Sequence, residues 1–332
     1  MKRLAFAALV AASFVTPSMA QDDAKFIWGG GDPKTSTYSA VYVPHLIDIL
    51  TQNRLPGYAW AGVSAGTLAN AEQVTAHPTN LAVGQWDLLQ NLNGQPNPAG
   101  GTYQFTVLAQ DIGPECLYAV TDQVGYGTLG DVIGNAWDST FATGGAGSGS
   151  LATFQNLQRL YPELADVITV EAGGALDIVK RVKTDAEVTH GFFVMRPDPQ
   201  SETFQYIAEE DLHLIPLVDE RLAGSYSFNE LKVANGGLFS GPTLHVTACT
   251  SVALITGDPN GTAAQALDTR SQRRLAETIK RISAVDPETL KPNISSWSDM
   301  WDSFKVLAGD RVQILMDESK QRLEDILEDV AG

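Results

Sequence analysis

The chain has 332 residues, 44% of them hydrophobic and 18% charged, with 30 Gly and 16 Pro. That composition is too apolar for disorder and too varied for a collagenous or disulfide-scaffold protein. Asp and Glu number 39 against 22 Lys and Arg, a formal charge of -17, and no Lys/Arg stripe is present to neutralise phosphates, which excludes nucleic acid as the expected partner.

Lys2 and Arg3 precede a largely apolar run over 4–15, and Ser18 and Ala20 place small residues before a cleavage point. Residues 1–20 read as a cleavable export signal, since this run falls short of the roughly 20 apolar residues that span a bilayer. The mature chain is expected to begin near Gln21, in the periplasm, with no stable membrane insertion. Cys116 and Cys249 are the two cysteines; in an oxidising compartment they permit one disulfide, and two buried thiols explain the count as well.

A strand is expected over 25–28, running into Gly29-Gly30-Gly31-Asp32-Pro33-Lys34-Thr35-Ser36-Thr37, with a helix over 38–52 that buries Val41, Leu46, Ile49 and Leu50. A strand over 58–61 feeds Gly62-Val63-Ser64-Ala65-Gly66-Thr67 and a helix to about Val74; a third strand, 81–84, ends at Gln85-Trp86-Asp87. The Gly/Pro-rich stretch 91–102 reads as a loop, and 105–120 as one long strand. The pattern then repeats: strand 139–143, the run Gly144-Gly145-Ala146-Gly147-Ser148-Gly149-Ser150, helix 151–160, strand 167–171, helix 175–182, strand 191–195, helix 202–209 and strand 213–217. A β-prone run over 242–256 follows, then helices over 262–282, 296–304 and 310–330.

Strands alternating with helices imply parallel α/β sheets with ligands at the carboxyl ends of the strands. Two such units joined by two long strands describe a two-lobed clamp, with one lobe over 21–117 plus 252–332 and the other over 118–251. If the joining strands, 105–120 and 242–256, run antiparallel and adjacent, Cys116 and Cys249 face each other and staple the hinge.

Three glycine-rich loops share one design: a strand ends, small or hydroxylated residues follow, and a helix begins. Such junctions leave main-chain N–H groups free at a positive helix end, and Ser or Thr adds donors without blocking approach. Ser150 stands where a phosphate-binding G-x-x-x-x-G-K-[ST] loop needs its Lys, and the same run misses G-x-G-x-x-G spacing. Gly62-Val63-Ser64-Ala65-Gly66 fits a G-x-S-x-G nucleophile elbow, with Asp219 and His245 following in order, so a secreted serine hydrolase is the alternative. His45, His77, His190, His213 and His245 show no metal spacing. Trp28, Trp60, Trp86 and Trp137 are expected to pack in the core, with ligand stacking an alternative for Trp86.

The segment 62–70, with Ser64, Gly66, Thr67 and Asn70, followed by a strand ending in Gln85-Trp86-Asp87, resembles the TAXI-type solute receptors of tripartite ATP-independent periplasmic (TRAP) transporters. Segment 142–150 is similar to that family's G-x-x-G-S-G-[ST] run. The resemblance implies a type II periplasmic binding protein fold, no catalysis, no cofactor, and delivery of a small solute to membrane permease subunits. Carried over by position, the ligand cradle is Thr35, Ser36, Thr37, Tyr38, Ser64, Ala65, Gly66, Thr67, Asn70, Gln85, Gly145, Gly147, Ser148, Gly149 and Ser150. The first loop departs from the family pattern at Asp32-Pro33-Lys34, so no particular substrate is carried over. With Lys34 its one cation and no Arg, the cradle suits a small organic acid or amino acid held by helix-end N–H groups and hydroxyls.

Overall fold

The computed structural model describes residues 25–31, 36–233, 243–292, 304–306 and 309–331. The export signal expected over 1–20, Lys34, Thr35 and most of the helix expected over 296–304 lie outside them.

The first half is wound from β1 (Lys25–Trp28), a π-helical turn (Tyr38–Tyr42) leading into α1 (Val43–Gln52), β2 (Tyr58–Trp60), α2 (Thr67–Ala76), β3 (Leu81–Gln85) and the short α3 (Trp86–Leu89). Strand β1 is central, with β2 and β3 parallel on either side. Helix α1 carries Val43, Leu46, Ile49 and Leu50 on one stripe, and Pro44 sits in the first turn, where its missing N–H costs nothing. That stripe packs with Ile27, Leu81, Val83, Val252 and Leu254 on one face of the sheet. On the other face Ala71 and Val74 of α2 pack with Ala82, Ala253 and Ile255.

The same winding recurs after β4 (Phe105–Ala109), β5 (Pro114–Thr121) and α4 (Leu129–Gly134), through β6 (Thr140–Thr143), α5 (Gly149–Leu160), β7 (Ile168–Glu171), α6 (Ala175–Thr184) and β8 (His190–Met195). Here β6 is central, between β7 and β8. Phe154 and Leu157 of α5 pack with Phe141 and Phe192 on one face, and Ile178, Val179 and Val182 of α6 with Ala142 and Phe193 on the other. Then come α7 (Glu202–Glu209), β9 (His213–Ile215), β10 (Ser227–Val233), β11 (Thr243–Gly257), α8 (Thr262–Gln265), α9 (Thr269–Ile282), α10 (Pro287–Leu290), β12 (Phe304–Val306) and α11 (Gly309–Ala331).

The halves join through β11, a 15-residue strand. Its Val252–Thr256 stretch pairs with β3, its Thr243–Cys249 stretch with β10, and between them Cys249, Thr250 and Ser251 lie opposite Cys116, Glu115 and Pro114 of β5. The joining strands are antiparallel neighbours, and Cys116 and Cys249 form a disulfide at directly opposed positions.

Three expectations are corrected. The strand expected over 105–120 is two strands, because the chain turns at Asp111, which holds φ 56°, and resumes at Pro114. Residue Phe304, expected to close a helix, opens a strand paired with Leu231 of β10. Helix α11, placed with the first half by its position in the chain, packs instead on α4 of the second: Val312, Leu315, Met316 and Leu323 cover that core. Gly130 and Gly134 make this possible, since a side chain at Gly130 would strike the Ser319 carbonyl and one at Gly134 would lie 2.7 Å from Ile326. Strand β10 and α4 were not anticipated at all.

The disulfide closes a span of 133 residues, and cross-links of long loops remove most entropy from the unfolded chain. Replacing both Cys116 and Cys249 with Ser is therefore expected to cost about 2–4 kcal/mol. Thermal unfolding checks this: the double variant melts lower than the oxidised wild type, and reductant lowers the wild type toward it.

Candidate functional site

In both windings the helix after the central strand and the helix after the edge strand lie on opposite faces, so the strand order reverses beside β1 and again beside β6, opening a crevice at the carboxyl ends of the strands. The three glycine loops lie at these crevices. In the first, Gly30 and Gly31 hold φ of 74° and 68°, and the hydroxyls of Ser36 and Ser39 donate to the Gly30 carbonyl at 2.6 and 2.8 Å. The Gly31 N–H donates to the Ser64 carbonyl at 2.8 Å, tying the first loop to the second. Thr37 precedes the π turn without a side-chain cap bond. In the second loop Ser64 Oγ donates to Asn70 Oδ1, and Asn70 Nδ2 to the Val83 carbonyl at 2.8 Å. Thr67 Oγ1 accepts from the Gln85 N–H at 3.1 Å and donates to Gln85 Oε1 at 3.4 Å. In the third loop Ser148 Oγ accepts from the Leu151 N–H at 3.1 Å, and Ser150 Oγ from the Val194 N–H at 3.0 Å.

The expected donors therefore divide. Ser36, Ser64 and Thr67 spend their protons on the loops themselves, whereas Ser148 and Ser150 act as acceptors and keep an O–H to give. The backbones also come into contact: a Cβ on Gly66 would sit 2.9 Å from the Gly149 nitrogen and 3.2 Å from the Gly147 carbonyl oxygen. One on Gly147 would lie 3.0 Å from Ala65 Cβ, and one on Gly149 would overlap Gln85 Oε1. The amino-terminal ends of α2 and α5, which rest on different cores, thus abut at Gly66 and Gly149. Gly145 lies apart from this contact, against Glu171.

Beside the loops stands a polar cluster that loop patterns alone do not reveal. Buried Asp87, two residues past the end of β3, accepts through Oδ2 from Tyr226 at 2.8 Å and from Thr153 of α5 at 3.2 Å; its N–H donates to Thr250 Oγ1 at 3.1 Å. Gln85 Nε2 donates to Thr153 Oγ1 at 3.2 Å, so first-half residues are tied to second-half residues through one buried network. Tyr38 OH donates to Glu115 Oε2 at 2.6 Å. Burial pushes the Glu115 carboxyl up to about 8, opposed by the Tyr38 hydrogen bond and reinforced by the charge of Asp87. Burial also raises Asp87, against the bonds from Tyr226 and Thr153. Asp87 had a sequence signal, in the strand-terminal Gln85-Trp86-Asp87; Glu115, Thr153 and Tyr226 had none.

The hydrolase triad is not assembled. Ser64 is bonded to Asn70, Asp219 accepts from Tyr161 at 2.8 Å, and His245 lies in the second half, stacked on Tyr118 with ring centroids 6.1 Å apart. No group of three or more His, Cys, Asp or Glu among the described residues is arranged to hold a metal. Trp28 packs against the core on the α2 side and Trp86 is half-buried there, but Trp60 and Trp137 are exposed, the latter at 78%, against the expectation of core packing. Trp86 instead helps line a cavity of about 410 Å³ with Pro114, Cys249, Thr250 and Lys291. A second cavity, about 300 Å³, lies beside Leu212, Val233 and His245. Neither is bordered by the glycine loops.

No protein-family model matches the chain, and no curated protein matches it. Solved structures with a similar chain layout include MatC from Rhodopseudomonas palustris with bound malate, at 12% identity and TM-score 0.46 over 91% of this chain and 98% of that one. Another is the periplasmic binding protein BugD, at 12% and 0.45 over 92% and 95%. A third is a binding protein component of an ABC phosphonate transporter from Pseudomonas aeruginosa, at 12% and 0.43 over 93% and 99%. Likeness at this level says nothing of the ligand.

The Glu115 shift has a measurable consequence. The folded chain holds this proton to about pH 8, whereas the ordinary carboxyl releases it near 4.5; the stabilisation is present below 4.5 and is lost as pH rises to about 8. Buried His190 and His245, lowered by burial to about 4 and about 3 from 6.5, act the other way, losing stability as pH falls below 6.5. At pH 6.5 the two imidazoles of the unfolded chain still bind about half a proton each, so the buried carboxyl side of the balance dominates only from about pH 7.5 to 8.5. Across that window the melting temperature is expected to fall, and Glu115→Gln to flatten the slope; a wild-type profile that rises there contradicts the assignment.

Proposed function

We propose that the chain is an extracytoplasmic solute-binding protein, of the TAXI type that serves TRAP transporters, which captures a small polar or anionic organic solute between two lobes and presents it to membrane permease subunits. The lobes are residues 21–117 plus 252–292, and 118–251 completed by α11. Residues 1–20 serve as the export signal. No helix among the described residues is long and apolar enough to cross a membrane.

The observation that carries this reading is the contact of α2 and α5 at Gly66 and Gly149. Each helix end bears roughly half a positive charge, so two such ends held in contact from separate cores make a positive spot beside the contact, where an anion is favoured. The small residues there, Ala65, Gly66, Gly147 and Gly149, let a carboxylate approach main-chain N–H groups closely, and Ser148 and Ser150 still have protons to donate. Ser36, Thr37, Tyr38, Ser64, Thr67, Asn70 and Gln85 shape the surrounding wall, with Thr35 completing the set by position in the chain. A solute enters when the halves part about β5 and β11 and stabilises the closed form by touching both.

Calorimetric titration against a panel of organic acids and amino acids, with scattering to follow compaction, tests the reading. At least one compound is expected to bind and to shrink the radius of gyration. Gly66→Val, which places a side chain 2.9 Å from the Gly149 nitrogen at a φ of 137°, is expected to weaken that binding by at least about tenfold, or 1.4 kcal/mol. Silence across the panel overturns the proposal.

A further inference from the structure

The larger cavity, about 410 Å³, falls within the roughly 300–1,000 Å³ of small-molecule sites, and the glycine loops take no part in it. Its wall takes Trp86 and Lys291 from the first half, Ser225, Ser227 and Asn229 from the second, and Ser251 from the strand that joins them. Strand alternation sets it apart from the cleft. Ser227 and Asn229 of β10 lie opposite Cys249 and Thr247 of β11, and opposed residues of an antiparallel pair share a face. Their side chains therefore stand with Cys249 and Ser251 on the disulfide face of the sheet. Glu115 and Thr250 occupy the other face, toward Tyr38.

The cavity has no charge to spare. Its two ionic residues among those described, Lys291 and Asp111, pair with each other at 3.6 Å, and Lys291 Nζ meets a second carboxylate, Glu288, at 2.9 Å. An anion would compete with two carboxylates for that ammonium. What the wall offers is neutral hydrogen bonding. Asn229 is 2% exposed; its Nδ2 donates to Ser227 Oγ at 2.9 Å, while its Oδ1 is buried with no partner. Such an orphaned amide oxygen is costly and uncommon in a finished interior. Ser225 and Ser251 add hydroxyls that both donate and accept, and half-buried Trp86 adds a flat apolar surface.

We propose that this cavity is a second binding site, for an uncharged, hydroxyl-rich molecule of monosaccharide size. Its C–H face packs on the Trp86 indole, one hydroxyl donates to Asn229 Oδ1, and the others exchange hydrogen bonds with Ser225, Ser227 and Ser251. Hydroxyls suit this wall because they give and take protons as the serines do. A purely apolar ring would leave Asn229 Oδ1 without a donor, and an organic acid, the class proposed for the cleft, would lose hydration without gaining an unpaired cation.

The wild-type chain is titrated by calorimetry with D-glucose, D-galactose, D-ribose, myo-inositol and glycerol, and with phenol and acetate for comparison, while the indole N–H resonances of isotope-labelled protein are followed. At least one polyhydroxyl compound is expected to bind with a Kd of about 1 mM or tighter and to shift the Trp86 indole N–H, which phenol and acetate leave in place. Asn229→Leu, its fold checked by its melting curve, is expected to weaken that binding at least about tenfold. Ser227→Phe, which puts a ring into the cavity from an exposed position of β10, is expected to abolish it, and decides alone if Asn229→Leu does not fold. Three results overturn the proposal: no polyhydroxyl compound binds; phenol or acetate binds at Trp86 more tightly than all of them; or the bound sugar shifts the Gly66 and Gly149 amides and leaves Trp86 unmoved. The first two leave capture of acids in the cleft standing, and the third moves the sugar into that cleft.

Discussion

Three opposed residue pairs, Pro114 with Ser251, Glu115 with Thr250 and Cys116 with Cys249, turn two separately cored half-sheets into one continuous sheet. Side chains alternate along a strand, and at this point the alternation does two jobs. Cys116 faces the core that holds Tyr118 and Val120 and closes the disulfide there. Glu115, its neighbour, points the other way and meets Tyr38 of the first loop. A covalent tie and an ionisable group therefore share a single turn of the pleat, back to back. Main-chain ladder bonds and the disulfide fix the position of the carboxyl between the two halves.

The cleft is built from backbone more than from side chains. Its loops are closed by hydrogen bonds from Ser36, Ser39 and Ser64, which sets their shape; for the capture proposed above, such preorganisation lowers the entropy lost on binding. Main-chain N–H groups recognise negative charge without choosing among acids. The network from Gln85 through Thr153 to Asp87 and Tyr226 joins hydroxyls of one half to an acid and an amide of the other.

Periodicity read the repeated winding well. Strands β1, β3 and β6 and helices α6 and α7 fall within two residues of expectation, because their apolar spacing and their Gly or Ser boundaries agree. Strand β11 was legible from its unbroken run of Thr, Val, Leu and Ile. The turn at Asp111 was passed over although Asp111 and the Gly113-Pro114 pair are turn residues within the apolar run, because the flanking stretches 105–109 and 115–121 both read as strand. The place of α11 was not legible: an amphipathic stripe shows that a helix packs, not on what. The loops could be found because glycine and serine cluster locally, whereas Glu115, Thr153 and Tyr226 come from three distant segments and meet only through the fold.

The packing of α11 on α4 orders events in time. A chain made from its amino end can complete the first winding once β11 is available, but the second core keeps an open wall until residues near Ile326 have emerged, close to 200 positions after Gly130 that they cover. Until then Leu129, Val132 and Ile133 present an uncovered apolar strip, the kind of surface on which holding chaperones act. The last helix is thus the clasp that ends the nascent chain's vulnerable period.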